Sequence, residues 1–144
     1  MTIYVDGDAC PVKDIIIEVS SFFKVPVHLF IDTSHTYSNP NIKVTIVDSG
    51  PDSVDFAIIG LIKENDLLIT QDYGLASLAI SKGAIVLHPC GKIINVYNID
   101  TLLVNRYLNK IERKISNHIK GPKKRTKADD EAFRTTLIKI LTQN

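Results

Sequence analysis

With 144 residues, 44% of them hydrophobic and 23% charged, the chain has the size and composition of one globular domain. A domain of this length buries roughly 70% of the surface its unfolded form exposes. No apolar stretch approaches the ~20 residues that span a bilayer, and the two cysteines, Cys10 and Cys90, give no disulfide framework. A membrane-spanning or disulfide-stapled design is therefore excluded, no secretory leader is expected, and a cytoplasmic location is the expectation.

The first strand is expected at residues 2–6, running into Gly7-Asp8-Ala9-Cys10 and then Pro11, a residue suited to a first helical turn. Apolar residues at Val12, Ile15, Ile16, Val19, Phe22 and Phe23 follow helical spacing to about Lys24. Pro26 opens a second strand at 27–31. A polar loop from Asp32 to Asn41 leads to a third strand at about 43–48 and the turn Ser49-Gly50-Pro51. Asp52 or Ser53 is placed to cap a helix running to about Glu64. Asn65-Asp66 turns the chain into a fourth strand at 67–70, followed by a short helix over Tyr73–Ser81, a break at Lys82-Gly83 and a fifth strand at 84–87. A long amphipathic helix is expected from about Asp100 to Ile119, then a basic linker at 120–127 and a last helix at 128–142. Alternating strands and helices predict an α/β fold: a parallel sheet of about five strands with helices on both faces. Residues 1–144 read as a single domain, with 98–144 a basic helical C-terminal extension.

Four of the strands end at or next to an aspartate: Asp6, Asp32, Asp48 and Asp72. In a parallel sheet all carboxyl ends lie along one edge, and ligands bind in the crevice outside it. Asp6 and Asp8 lie two apart, so both side chains share one side if the strand continues, and Gly7 between them leaves room for a ligand's close approach. Asp52 and Asp55 lie three apart in the first turn of the second helix. The helix dipole accounts for Asp52 better than for Asp55, which borders an apolar run and points toward the rim. Asp72 also fits as the N-cap of the helix after it. Asp32 and Asp48 open turn-rich segments where aspartate is expected anyway, and rank lower. Carboxylates gathered at one rim raise one another's pKa unless a cation neutralises them. Hard oxygen donors without matched histidine or cysteine spacing select Mg²⁺ or Mn²⁺.

From Arg106 to Lys127 there are nine basic residues against the single acid Glu112. Arg106 and Arg113, seven apart, share a helix face that suits phosphate oxygens, and Lys123, Lys124 and Arg125 could track a nucleic-acid backbone. A solvated helix face and a charged loop are the plain structural alternatives. GPKKRT at 121–126 has no interleaved aromatics, so a base-stacking platform is not expected there. Cys10 and Cys90 read as inert thiols. His88, at the end of the fifth strand, is the one histidine positioned to assist as acid or ligand, although packing accounts for it as well.

These residues carry a resemblance. VDGDACP at 5–11, the Asp52/Asp55 pair and ITQDYGLA at 69–76 resemble the YaiI/YqxD family of bacterial proteins. The likeness continues through HPCG at 88–91, NID at 98–100, Arg106, Arg113, GPKKRT at 121–126, and Asp129 with Phe133. Position 90 is cysteine where members of that family often carry arginine. The resemblance implies a PIN-like domain, a fold class that includes many metal-dependent ribonucleases, and implies Asp6, Asp8, Asp55 and Asp72 as metal ligands and catalytic groups. Three functions follow as expectations. The first is a Mg²⁺- or Mn²⁺-dependent phosphodiester hydrolase acting on RNA. The second is a non-catalytic module that binds RNA or protein and retains the acidic site. The third, ranked last, is a phosphatase using an aspartate nucleophile, with Thr33 and Ser49 as the hydroxyls near the strand ends.

Overall fold

The computed structural model describes residues 1–115 and 124–143. Its frame is a six-stranded sheet built from β1 (Ile3–Asp6), β2 (Val27–Asp32), β3 (Lys43–Val47), β4 (Leu67–Ile69), β5 (Ile85–Leu87) and β6 (Ile93–Ile94), in the order β3-β2-β1-β4-β5-β6. The first five strands are mutually parallel and β6 pairs antiparallel with β5. The helices are α1 (Lys13–Phe23), α2 (Ser53–Leu61), α3 (Tyr73–Ser81), α4 (Ile99–Ile115) and α5 (Lys127–Thr142). The expected five parallel strands are all present. The sixth was not anticipated, because two isoleucines after the turn at 88–91 carry no alternation to read.

Alternation along each strand sorts the core into two halves. Ile3 and Val5 of β1, Leu29 and Ile31 of β2, and Leu67 and Ile69 of β4 face α1 and α5, where Val12, Ile16, Val19, Phe133, Leu137, Ile140 and Leu141 complete one apolar layer. Tyr4, Phe30 and Leu68 point the other way, into a second layer with Val54, Ile58 and Ile62 at α2 and Leu75, Ala76 and Ala79 of α3. Strands buried on both faces read as continuous apolar runs, which is why β2 and β4 are so uniformly hydrophobic. The parallel step from β2 to β3 is made by the polar loop, not by a helix; Tyr37 and Ile42 pin that loop onto the α1 layer.

α5 is part of this core. Its start is held by a capping box, Thr126 accepting from the Asp129 N–H at 3.3 Å while Asp129 accepts from the Thr126 N–H at 2.8 Å. Phe133 is fully buried, and Arg134 reaches Glu18 of α1 at 3.0 Å. The loop at 88–91 lies directly against α5. A side chain on Gly91, whose φ is +93°, would sit 2.7 Å from the Ala132 carbonyl, and Thr136 donates to the Gly91 carbonyl at 2.8 Å. The expected continuation of α4 to residue 119 lies outside the described residues, as do His118, Lys120 and Lys123.

Candidate active site

Strand order sets the location. The chain winds outward from β1 to β2 and β3, then crosses back to place β4 on the other side of β1, so the winding reverses between β1 and β4. At such a reversal the two flanking connections leave in opposite directions and open a crevice at the carboxyl edge. Asp6 ends β1 and Asp72 follows β4 by three residues.

Strand parity carries Asp6 to the Tyr4 side of the sheet and Thr70 to the Leu68 side, which are the same side, beneath α2 and α3. There Thr70, itself buried, donates from Oγ1 to Asp6 Oδ2 at 2.8 Å and accepts the Asp72 backbone N–H at 2.9 Å. Asp72 Oδ1 accepts from the N–H groups of Gly74 and Leu75 at 2.8 and 3.1 Å, capping α3. The expected N-cap at Asp72 is present: one oxygen caps the helix, while the carboxylate's charge is felt at Asp6 and Asp55.

Asp6 and Asp55 show the cost of this convergence. Burial, then the charges of Asp72 and Asp8, push Asp6 up to about 6, with the Thr70 hydroxyl pulling the other way. Asp55, in the first turn of α2, is also pushed up to about 6, by burial and then by Asp72, Asp6 and Asp52. Three elements distant in sequence thus bring Asp6, Asp55 and Asp72 into one electrostatic cluster. Carboxylate is the donor type a hard divalent cation takes. Among the described residues, however, it is Asp8, Asp32 and His35 that bring three ligand-type atoms within 4.8 Å of one another, so Asp6, Asp55 and Asp72 would have to draw in around an ion. Carboxylate oxygens dominate, Asp6 Oδ1 and Asp72 Oδ2 are not engaged by the bonds just described, and the mutual repulsion is what a cation relieves.

Three expectations need correction. Asp8 does not continue along β1, since the strand ends at Asp6. Its Oδ1 instead accepts the Asp32 N–H at 3.3 Å and lies 2.9 Å from His35 Nδ1, with Asp32 Oδ1 at 3.2 Å from the same nitrogen. One ligand-type atom from each of Asp8, Asp32 and His35 falls within 4.8 Å of the others. Asp8 therefore sits at the edge of the main cluster, with Asp32 and His35 as partners that residue types alone ranked low. Second, Asp52 does not cap α2. Its backbone is left-handed at φ 62° and its side chain makes no capping bond, so it adds charge near Asp55 instead. Third, Gly7 leaves room for β2, not for a ligand: a side chain there would lie 2.7 Å from the Phe30 carbonyl, to which the Gly7 N–H is bonded at 2.8 Å. Asp48 is exposed beyond β3, two strands from β1.

On either side of the start of α3 lies a cavity. One, of about 580 Å³, is lined by Asp52, Asp55, Asp72 and Gly74 with Phe56, Ile59 and Leu78 as its apolar wall. The other, of about 480 Å³, is lined by Tyr73 and by Leu102, Asn105, Arg106, Asn109, Lys110 and Arg113 of α4. The shared face expected for Arg106 and Arg113 is present, and it includes Lys110 one turn between them, which was not singled out. Tyr73, the first residue of α3, joins this basic cleft to the acidic rim.

Lys124 is exposed just ahead of α5. Arg125 is turned inward: its Nε donates to Asp130 at 2.7 Å and an Nη2 hydrogen to the Pro89 carbonyl at 2.8 Å. That clasp ties the loop at 88–91 to α5 and gives Arg125 a structural task in place of open phosphate contact. His88 accepts the Cys90 N–H on Nδ1 at 3.0 Å, and burial, then Arg125 and Lys92, hold its pKa down, so the imidazole is neutral. Burial raises the Cys10 thiol, in keeping with an inert side chain. Thr33 and Ser49, the hydroxyls a phosphatase would call on, bond each other at 2.6 Å.

The family model described as "Uncharacterized BCR, YaiI/YqxD family" matches residues 4–143, and the chain belongs to that family. It is 43% identical over 143 residues to a UPF0178 protein of Clostridium acetobutylicum, covering 98% of this chain and 97% of that one. It is 48% identical over 145 residues to a UPF0178 protein of Bacillus cereus, covering 98% and 99%. Among solved structures, that of Rae1 (YacP) from Bacillus subtilis aligns over 99% of each chain at TM-score 0.47 and 18% identity, too distant to bear on the site.

Proposed function

We propose that this member of the YaiI/YqxD family is a PIN-like, Mg²⁺- or Mn²⁺-dependent hydrolase of phosphodiester bonds, acting on RNA. One observation carries the reading: Asp6 and Asp55, from elements far apart in sequence, are both pushed up to about 6 beside Asp72 at the winding reversal of the sheet. A fold that gains only stability from its side chains has no use for three crowded carboxylates. A site that binds a divalent cation does.

Asp6, Asp55 and Asp72 would hold the ion, with Asp8 at its margin. A bound divalent ion polarises a phosphoryl oxygen and lowers the pKa of water enough to make it a nucleophile at neutral pH. The chain's own residues do the rest. Thr70 fixes the Asp6 carboxylate through Oδ2, and the α3 cap fixes Asp72 through Oδ1, so neither can swing away from the crevice. Arg106, Lys110 and Arg113 would neutralise substrate phosphates beside Tyr73, holding the strand at the rim. Lys124, exposed, and Lys123 extend the basic surface in sequence.

The test is cleavage of a panel of RNA substrates in Mg²⁺ or Mn²⁺ and in EDTA, with Asp6→Asn and Asp72→Asn beside wild type. Asparagine still accepts from Thr70 at position 6 and still caps α3 at position 72, so the variants change charge and little else. Turnover should fall by about 10²-fold or more in each while melting remains cooperative. RNA affinity that survives in both variants, together with no metal-dependent cleavage by wild type, would favour the binding-module reading instead.

A further inference from the structure

The helix α4 is amphipathic the wrong way round. Its first turns pack inward, with Ile99 buried and Leu102 and Leu103 against the second core layer. Farther along, the same side carries Arg106, Lys110 and Arg113 into the basic cleft. The opposite side, turned away from the sheet, is apolar: Val104, Leu108, Ile111 and Ile115 recur at spacings of four, three and four, with Tyr107 beside them. Residues 104–115 are all exposed, and among the described residues nothing covers this stripe. A helix stretch of that length without a tertiary partner is marginal in water. Such a narrow a/d stripe is the seam of a helix pair rather than the broad face of a helix lying on a core.

We infer that this stripe is a homodimer interface, in which α4 packs antiparallel against α4 of a second copy. The spacing is self-complementary in that direction. Val104 stacks on the partner's Ile115 and Leu108 on the partner's Ile111, and the two-fold axis repeats both layers. Flanking the seam, Asn105 meets the partner's Glu112 and Tyr107 meets the partner's Lys114, so no like charges face each other. The antiparallel choice also separates the two basic ends, each with Lys110, Arg113 and Lys114, which a parallel pair would set side by side. Because the stripe faces away from the sheet, each body lies on the outer side of the pair and leaves its own acidic rim and basic cleft open.

The area decides whether the stripe is large enough for a specific pair. At exposures of 54% for Val104, 64% for Tyr107, 53% for Leu108, 37% for Ile111 and 81% for Ile115, the stripe offers roughly 500 Å² per copy. Pairing removes about 1,000 Å² in all, the lower bound of a specific interface. This inference does not depend on the proposed hydrolase activity.

Sedimentation equilibrium over a range of concentrations reads the association directly. Wild type should pass from monomer to dimer, and Leu108→Glu or Ile111→Glu should weaken dimerisation at least about 30-fold, since each places two charges in the seam. Both positions are exposed in the monomer, so the core's melting transition should survive. Arg113→Ala, on the opposite face, should leave association unchanged. Direction is read by oxidation: Val104→Cys mixed with Ile115→Cys should cross-link to each other in the dimer, mapped by peptide mass, while neither should cross-link to itself. A monomer up to millimolar concentration would overturn the inference. So would dimers that Leu108→Glu and Ile111→Glu leave intact, self-cross-linking of Val104→Cys, or a monomer that instead sediments with phosphatidylserine vesicles.

Discussion

At Asp6, burial and the neighbouring charges act in the same direction, and only the Thr70 hydroxyl opposes them. The resulting value, about 6, lies above the ordinary 3.8 that the unfolded chain keeps. Between those two values the folded protein holds protons that the unfolded chain has released. Stability is therefore full below about pH 4 and is lost as pH rises through 6, the reverse of a salt-bridged aspartate. Asp55 is shifted the same way and adds to the effect. A shift of this size at Asp6 corresponds to roughly 3 kcal/mol. Asp6→Asn recovers part of it, because asparagine must still be buried. Without metal, Asp6→Asn should be about 1–2 kcal/mol more stable than wild type near pH 7.5 and no more stable near pH 4, as read by urea unfolding. Adding Mn²⁺ at the higher pH should stabilise wild type by mass action and leave Asp6→Asn almost unmoved. Equal stability of the two proteins at both pH values would mean that Asp6 does not carry the crowded charge. Most of this cluster was legible in the sequence, since each aspartate sits at a strand end or helix start where chain geometry limits its direction. Two parts were not. The partnership of Asp8 with Asp32 and His35 depends on where β1 stops, and a run such as Val5-Asp6-Gly7-Asp8 does not show that. The role of Thr70 depends on its parity with Leu68 being matched to that of Asp6 across the β1–β4 pair, a register that only the assembled sheet fixes.

Elements turn these residues into a site. α3 begins at the rim and has Asp72 as its cap, so the helix positions the carboxylate while the carboxylate starts the helix. α4 reaches the site differently, through one face that is apolar for its first turns and basic beyond them. The 3.6-residue period made the sharing of a face by Arg106 and Arg113 readable. What the cleft faces could not be read, because Tyr73 meets α4 only through the packing of α3 beside it. If the cleft binds a nucleic-acid backbone, its basic residues act as counter-ion exchangers and not as sequence readers. Arg106→Ala and Arg113→Ala should then each weaken RNA binding to a similar degree for unrelated sequences. Each should also reduce the slope of log affinity against log salt by about 0.7 to 1. Fluorescence anisotropy at several salt concentrations measures both quantities. A loss confined to one sequence, or a slope that does not change, would remove the cleft from the phosphate path. Lys124→Ala provides a comparison on the other basic segment, and Arg125→Ala should act through stability, because its guanidinium is bonded to Asp130 and Pro89.

For the whole molecule, the C-terminal region shows what charge alone conceals. Residues 98–144 read as the basic helical extension of a single domain; within it α5 closes one of the two apolar layers and α4 leaves an apolar stripe outside. The difference lies in spacing that composition conceals. Phe133, Leu137, Ile140 and Leu141 fall at intervals of four, three and one, a stripe wide enough to lie on α1 and the sheet. Arg134, Thr135, Thr136 and Lys139 between them lower the helix's average hydropathy without interrupting that face. If α5 is integral, deleting a buried side chain there must destabilise the entire domain. Phe133→Ala leaves a cavity against the β-sheet layer and should cost about 3–5 kcal/mol. The loss should be seen at once by far-ultraviolet dichroism and by fluorescence of Tyr4 on the far side of the sheet, read with Tyr37, Tyr73, Tyr97 and Tyr107 replaced by phenylalanine in both proteins, in a single cooperative transition. An appended helix would respond otherwise: the variant would lose some helical signal at low denaturant while the transition reported by Tyr4 stayed where it is in wild type. Coincident midpoints, both shifted down, are the expected result, because the loop at 88–91 and α1 both rest on the face that Phe133 fills.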